Sequence, residues 1–296
     1  MRSKDIPQFD PEKTIKEAKE LAGYFNFDGN FESKERRKSE KSIEGINILL
    51  KNIEGELNST YGPPDIIDKN GAIINTNQEL ETKLNNSILK FKKSDQSINE
   101  VGQNAEYKEG MIWEKIVTIV FNKILREDFI IVHSSNVDDV LRGFDTLIID
   151  KKTGKTICTL DEVARSEENC VEKVNKIAMI NQRFGGASMN NGLVLKGNTL
   201  VKDEVAQVPI FLLQITKKEF EEVLEKMDLD SMDNISEIEF NVFDKMIESL
   251  SDQVEKLLEG SKYNDINLIR KIKEFSTSLE DMKKIKSEKL AESVKK

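Results

Sequence analysis

The sequence predicts an α/β protein, with a mixed β-sheet core flanked by helices, a helical N-terminal region and a C-terminal helical hairpin. Runs of strand length rich in β-branched residues crowd the middle of the chain: FIIVH (129–133), FDTLIID (144–150), KTICTLDEV (155–163), GLVLKG (192–197) and PIFLLQIT (209–216). Two segments of helical pattern, EGMIWEKIVTIVFNKIL and EENCVEKVNKIAMINQRF, precede and interrupt them. On either side, apolar residues recur at helical steps of three and four. The order helix, three strands, helix, two strands is that of an α/β core with a mixed sheet.

In chain order, residues 1–104 form the helical N-terminal region. Pro11 followed by EKTIKEAKELAGYF predicts a helix capped by Asp10, and a second helix begins near Ser33. Ile43, Ile46, Leu50, Ile53 and Leu57 give that second helix an apolar stripe, which calls for another helix to pack against. YGPPD at 61–65 stops it, DKNGAIINTNQ carries an Asn-Gly turn signal, and a further helix is expected over about 77–93. The basic run at 34–41 is interrupted by Glu35 and Glu40, which fits a solvated helical face.

The core is expected over 105–216. EGMIWEKIVTIVFNKIL is apolar on most faces, as a helix buried against a sheet would be, and holds one conspicuous acid, Glu114. The strands at 144–150 and 155–163 are joined by DKKTGK with Gly154 and read as a hairpin. From 217 to 296, Phe243, Ile247, Leu250, Val254 and Leu257, then Ile269, Ile272, Phe275, Leu279, Met282 and Ile285, form two helical stripes broken at Gly260 to Asn264. Such a seam serves either internal packing or oligomerisation.

Composition narrows the function classes. With 33% charged residues and no apolar run long enough to cross a bilayer, the chain reads as soluble, and MRSKDIPQFDPEK lacks a secretory apolar region, so a cytoplasmic location is expected. Cys158 and Cys170 match no zinc or redox spacing. His133, the one histidine, ends a strand and reads as structural, which excludes histidine triads and histidine-rich zinc sites. Neither a Walker A loop nor a GxGxxG before a helix occurs. A net charge of −9 argues against coating nucleic acid by bulk electrostatics and leaves room for a local basic groove.

Two acids stand out within the hairpin. Asp145 enters one strand and Glu162 lies near the end of the next, so their side chains can converge at one end. Carboxylates that close repel unless a cation sits between them or one keeps a proton. Mg²⁺ is the natural occupant of such an oxygen-lined place. Each acid also has a plainer reading: Asp145 in a turn hydrogen bond, Asp161 and Glu162 as an N-cap pair, Glu114 in a surface ion pair.

The arrangement resembles the PD-(D/E)XK nuclease superfamily, in which an acid on one strand is followed by acid, any residue, lysine on the next. Those positions read Asp145, then Glu162, Val163 and Ala164, and Glu114 stands where many members carry a glutamate on the preceding helix. The resemblance covers about 105–216 and implies a restriction-endonuclease-like core and a metal-dependent nuclease. Mg²⁺ or Mn²⁺ would be held by Asp145, Glu162 and the Val163 carbonyl, with Glu114 positioning a water. It further implies nucleic acid, DNA in the first place, as substrate, a setting such as restriction or phage defence, and a homo-oligomer or partner protein that adds affinity.

Ala164 departs from the pattern, because the family's lysine orients the attacking water and stabilises transition-state charge. Three explanations stand side by side: a lysine replaced by alanine in this chain, a lysine moved to Lys173 or Lys176 on the next helix, or a pseudonuclease that binds without cutting. Gln182 on the same helix is a further candidate for substrate contact, while RFGG at 183–186 reads as a helix stop. The alternative of another class is a scaffold that binds partners through its helical ends.

Overall fold

A mixed sheet of four strands occupies the middle of the chain in the computed structural model, which describes residues 33–62, 66–68, 72–74, 82, 105–135, 143–164, 171–260 and 266–293. The helices are α1 (Ser33–Tyr61), α2 (Ala105–Leu125), α3 (Val171–Phe184), α4 (Lys217–Lys226), α5 (Glu237–Glu259) and α6 (Ile266–Ser293). The strands are β1 (Phe129–His133), β2 (Thr146–Asp150), β3 (Lys155–Ala164), β4 (Ala187–Lys196), β5 (Thr199–Val208) and β6 (Ile210–Ile215). Sheet order is β1-β2-β3-β6, antiparallel between the first three and parallel between β3 and β6, and β4 pairs with β5 in a separate two-stranded ribbon.

Local chemistry explains the β2–β3 hairpin. Asp150 accepts from the Lys152 N–H and the Thr153 hydroxyl, which tightens the turn. Gly154 then adopts φ +71°, and a Cβ there would come within 2.2 Å of the Leu195 carbonyl, so only glycine fits beneath the ribbon. The ribbon itself was half legible. Its second strand, TLVKDEVAQV, was not expected, because only Leu200, Val205 and Val208 are buried along it and they follow no alternating period.

The edge strand β6 is closed on its outer side by two amide side chains. Asn181 on α3 donates to the Ile210 carbonyl at 2.8 Å and accepts its N–H at 3.0 Å. Gln253 on α5 does the same for Leu212, at 2.8 and 2.9 Å. Each amide replaces the donor and acceptor that a further strand would supply, which removes an open edge.

Helix α2 is the centre of the packing. Trp113, Ile116, Val117, Ile119, Val120, Phe121, Ile124 and Leu125 are all buried, as its apolar sequence requires. It meets β1 and β3 on one side, α1 and α6 on others, and Phe121 sets its ring edge-on to Phe243 of α5 at 5.6 Å. The α1 stripe packs on α2 through Ile46, Leu50, Ile53 and Leu57, while Ile43 is only half-buried. In the C-terminal hairpin the seam faces inward: Phe275 stacks on Phe211 of β6 at 4.8 Å, and Leu268 rather than Ile269 takes the first buried place in α6. Among the described residues no helix is long and apolar enough to cross a membrane.

The Asn-Gly turn signal is supported from both sides: Ile67 pairs antiparallel with Ile73, and the Asp68 N–H donates to the Ala72 carbonyl at 2.8 Å. Cys170 and the helix expected after Asp10 lie outside the described residues, as do the side chains of 34–40, and of the helix expected over 77–93 only Thr82 is described, in helical conformation. Cys158 is buried in β3, where burial and the nearby Glu162 push its thiol well above the usual range.

Candidate active site

Hairpin geometry brings Asp145 to Glu162. The Asp145 N–H donates to the Leu160 carbonyl at 2.7 Å, which locks it to β3 one step before the β2 ladder starts. Its carboxylate Oδ2 then accepts the Glu162 backbone N–H at 2.8 Å. Asp145 is 9% exposed and Glu162 2% exposed, and Asp161 and Glu162 lie within β3, paired with Leu212 and Leu213 of β6, rather than at a helix N-cap. The Glu162 side chain faces α2, where Glu114 is half-buried and close enough to act on it electrostatically. Both Glu162 carboxylate oxygens are buried and, among the described residues, neither makes a hydrogen bond of regular length and angle, although the Thr146 hydroxyl and the Asp145 carboxyl lie close enough to act on the group. Burial, then the Asp145 and Glu114 carboxylates, push Glu162 well above the usual carboxylate range.

The next residue back extends the cluster on the other face of the sheet, since successive strand residues alternate. Asp161 is 3% exposed, and its Oδ1 lies 2.5 Å from Lys173 Nζ on α3. Burial dominates here too and, aided by Asp145 and opposed by Lys173, raises its carboxyl to about 7. Asp145 thus stands between two buried acids, one on each face of β3. The sequence signal was present in the adjacent DE pair, but which face each acid takes required the strand register.

The two lysines proposed as replacements differ in place. Lys173 reaches the acids through Asp161, whereas the Lys176 ammonium lies 3.3 Å from the position of a Cβ on Gly143, two residues before Asp145. Gln182 has its side chain in solvent nearly two turns beyond Lys176. Ala164 is half-buried against the core on the same face as Glu162. Val163 pairs with Gln214 of β6; because Glu162 turns its backbone to Asp145, alternation directs that of Val163 to β6. The Val163 carbonyl is therefore not brought to Asp145.

His133 stands behind Asp145, where its Nε2 is 3.2 Å from the Thr118 hydroxyl. Burial and the Lys115 charge push the imidazole down to about 4, against a backbone contact with Asp145 that pulls the other way, so the ring is neutral at pH 7.

Among the described residues, no group of three or more His, Cys, Asp or Glu side chains forms a ready-made metal cage. What the site offers is a set of hard oxygen donors, with both Glu162 oxygens buried and outside any regular hydrogen bond among the described residues. Compared with known proteins, the chain matches no family model, no curated protein and no solved structure. The assignment therefore rests on chemistry and placement.

Proposed function

We propose that the chain is built as a divalent-metal-dependent phosphodiesterase acting on nucleic acid, DNA in the first place, with a PD-(D/E)XK-like core. The observation that carries this reading is the Glu162 carboxylate, buried beside Asp145 and Glu114 with neither oxygen in a regular hydrogen bond among the described residues. A buried carboxylate without a partner is costly, and an oxygen-seeking cation is the partner that would offset the cost. Further support comes from the frame: an acid-bearing helix α2, three antiparallel strands, helix α3 and a strand β6 parallel to β3.

In this mechanism Asp145 and Glu162 would hold Mg²⁺ or Mn²⁺, and the ion would supply a lowered pKa for a bound water and a counter-charge for the phosphoryl group. Glu114, on the same side as Glu162, orients the attacking water. Asp145 is itself fixed by two backbone bonds, so the carboxylates are set before substrate arrives. At position 164 a lysine would project beside Glu162 and face the developing negative charge; alanine supplies nothing there. Lys173 is paired with Asp161. Ala164 and the lack of a ready-made cage favour a second reading, a core that binds nucleic acid without cutting it.

Plasmid cleavage with Mg²⁺ or Mn²⁺ separates the two. Ala164→Lys is expected to raise the cleavage rate by about 10² to 10³, the worth of one preorganised electrostatic group. Adding Asp145→Asn to that variant is expected to abolish the gain. If Ala164→Lys cuts no faster while both proteins bind DNA, the non-cutting reading replaces the first. If neither binds DNA, alone or with a partner, the scaffold reading stands.

A further inference from the structure

Among the described residues, five side chains bury a polar atom that makes no regular hydrogen bond: Trp113, Thr146, Thr159, Glu162 and Glu239. Three of them, Thr146, Thr159 and Glu162, stand on the neighbouring strands β2 and β3. A hydroxyl taken out of water without a partner costs free energy, and valine would fill a threonine's place in a strand without that cost. Each of the two buried hydroxyls therefore calls for an explanation.

The two threonines differ in the face they take. Thr146 pairs with His133 of β1 on one side and with Leu160 of β3 on the other, and residues paired in this way share a face. Two residues beyond Leu160, Glu162 returns to that face, so Thr146 and Glu162 both look toward α2. His133, in the same row, meets Thr118 of α2 at 3.2 Å. Thr159 pairs with Leu147 and Ile210 and looks the other way, as Asp161 does. The Thr146 hydroxyl is fully buried and close enough to the Glu162 carboxylate to act on it. A hydroxyl has a single hydrogen to give, so it can hold one carboxylate oxygen and leave the other. We propose that Thr146 is a positioning residue of the cation site: its hydroxyl donates to one Glu162 oxygen and leaves the other to a divalent cation shared with Asp145. This rests on the metal-dependent reading of that site. Thr159, of the same chemistry on the opposite face, has no such role and serves as the control.

Titration of the full chain with Mn²⁺, followed by the paramagnetic resonance signal of the free ion, tests this. The parent is expected to bind Mn²⁺ at a site that Glu162→Gln loses. Thr146→Val should weaken that binding by about tenfold, the usual effect of removing a group that orients a metal ligand, and Thr146→Ser should restore most of it. Thr159→Val should bind as the parent does. In chelator neither valine variant is expected to melt below the parent, since each removes a buried hydroxyl without a regular partner. Mn²⁺ affinities of Thr146→Val and the parent that agree, or equal weakening by Thr146→Val and Thr159→Val, overturn the proposal and leave the metal reading standing. A Thr146→Val protein that melts well below the parent with its Mn²⁺ affinity unchanged makes the hydroxyl structural and overturns it too. If the parent binds Mn²⁺ no better than Glu162→Gln, the metal reading falls and the role of Thr146 with it.

Discussion

Two regions of this molecule bury charge, and they do it in opposite ways. Between α2 and α5, Lys123 and Glu239 form an ion pair at 2.8 Å with both side chains fully buried. Lys123 also donates to the carbonyls of Asp228 at 2.5 Å and Asn234 at 2.9 Å, while its contact with Glu239 Oε1 is an ion pair without hydrogen-bond geometry. The other Glu239 oxygen accepts from the Ser236 N–H and hydroxyl, each at 2.7 Å. Around β3, by contrast, Asp145, Asp161 and Glu162 are buried together, with the half-exposed Lys173 paired to Asp161, and among the described residues Glu162 accepts no regular hydrogen bond. The difference teaches that buried charge is not itself a sign of function. A cluster in which each charge meets its counter-charge fixes a joint between helices, whereas one with excess negative charge is relieved by a cation or by protons.

The largest effect should come from unbalancing the balanced region. Lys123→Met leaves Glu239 without its counter-charge and is expected to cost about 3 to 5 kcal/mol in urea unfolding. Lys123→Met with Glu239→Leu should recover a large part of that loss. A single variant as stable as the parent would break the comparison.

The acidic region should respond to pH instead. The Asp161 carboxyl holds its proton in the folded chain to about pH 7, against 3.8 for the ordinary group. The stability it supports is full below pH 3.8 and is lost as the pH rises through 7. With divalent metal chelated, the parent should lose about 2 kcal/mol relative to Asp161→Asn between pH 5 and 7. Parallel pH profiles for the two proteins would mean that the excess charge is relieved in some other way. Adding Mg²⁺ at pH 7 should raise the melting temperature of the parent and leave Glu162→Gln unmoved, since ligand bound only to the folded state stabilises it.

The smallest effect belongs to exposed pairs. Lys196 and Asp203 meet at 2.9 Å across the β4–β5 ribbon, both largely in solvent, and Lys196→Ala should leave the unfolding midpoint unchanged. A measurable loss there would mean that proximity alone, without burial, carries weight in this fold.

Much of the architecture was written in the sequence, for reasons that act locally. FIIVH became β1 residue for residue, Gly154 marked the hairpin turn, and the apolar run of α2 announced a helix buried over 116–125. Such signals need only side-chain period, β-branching and turn chemistry, which a short window contains. The candidates Asp145, Glu162 and Glu114 were visible for the same reason, as acids at the ends of apolar elements. Their relation was not. Whether Asp161 joins Lys173, whether the Val163 carbonyl faces Asp145 or β6, and whether Trp113 is left without an acceptor all depend on register and on which helix covers which face. The Lys123–Glu239 joint spans more than a hundred residues and has no local signature. Segment by segment the sequence determined the elements and named the acids. The balance of buried charge was decided only when distant elements packed, because desolvation and partner distance are properties of the assembled interior.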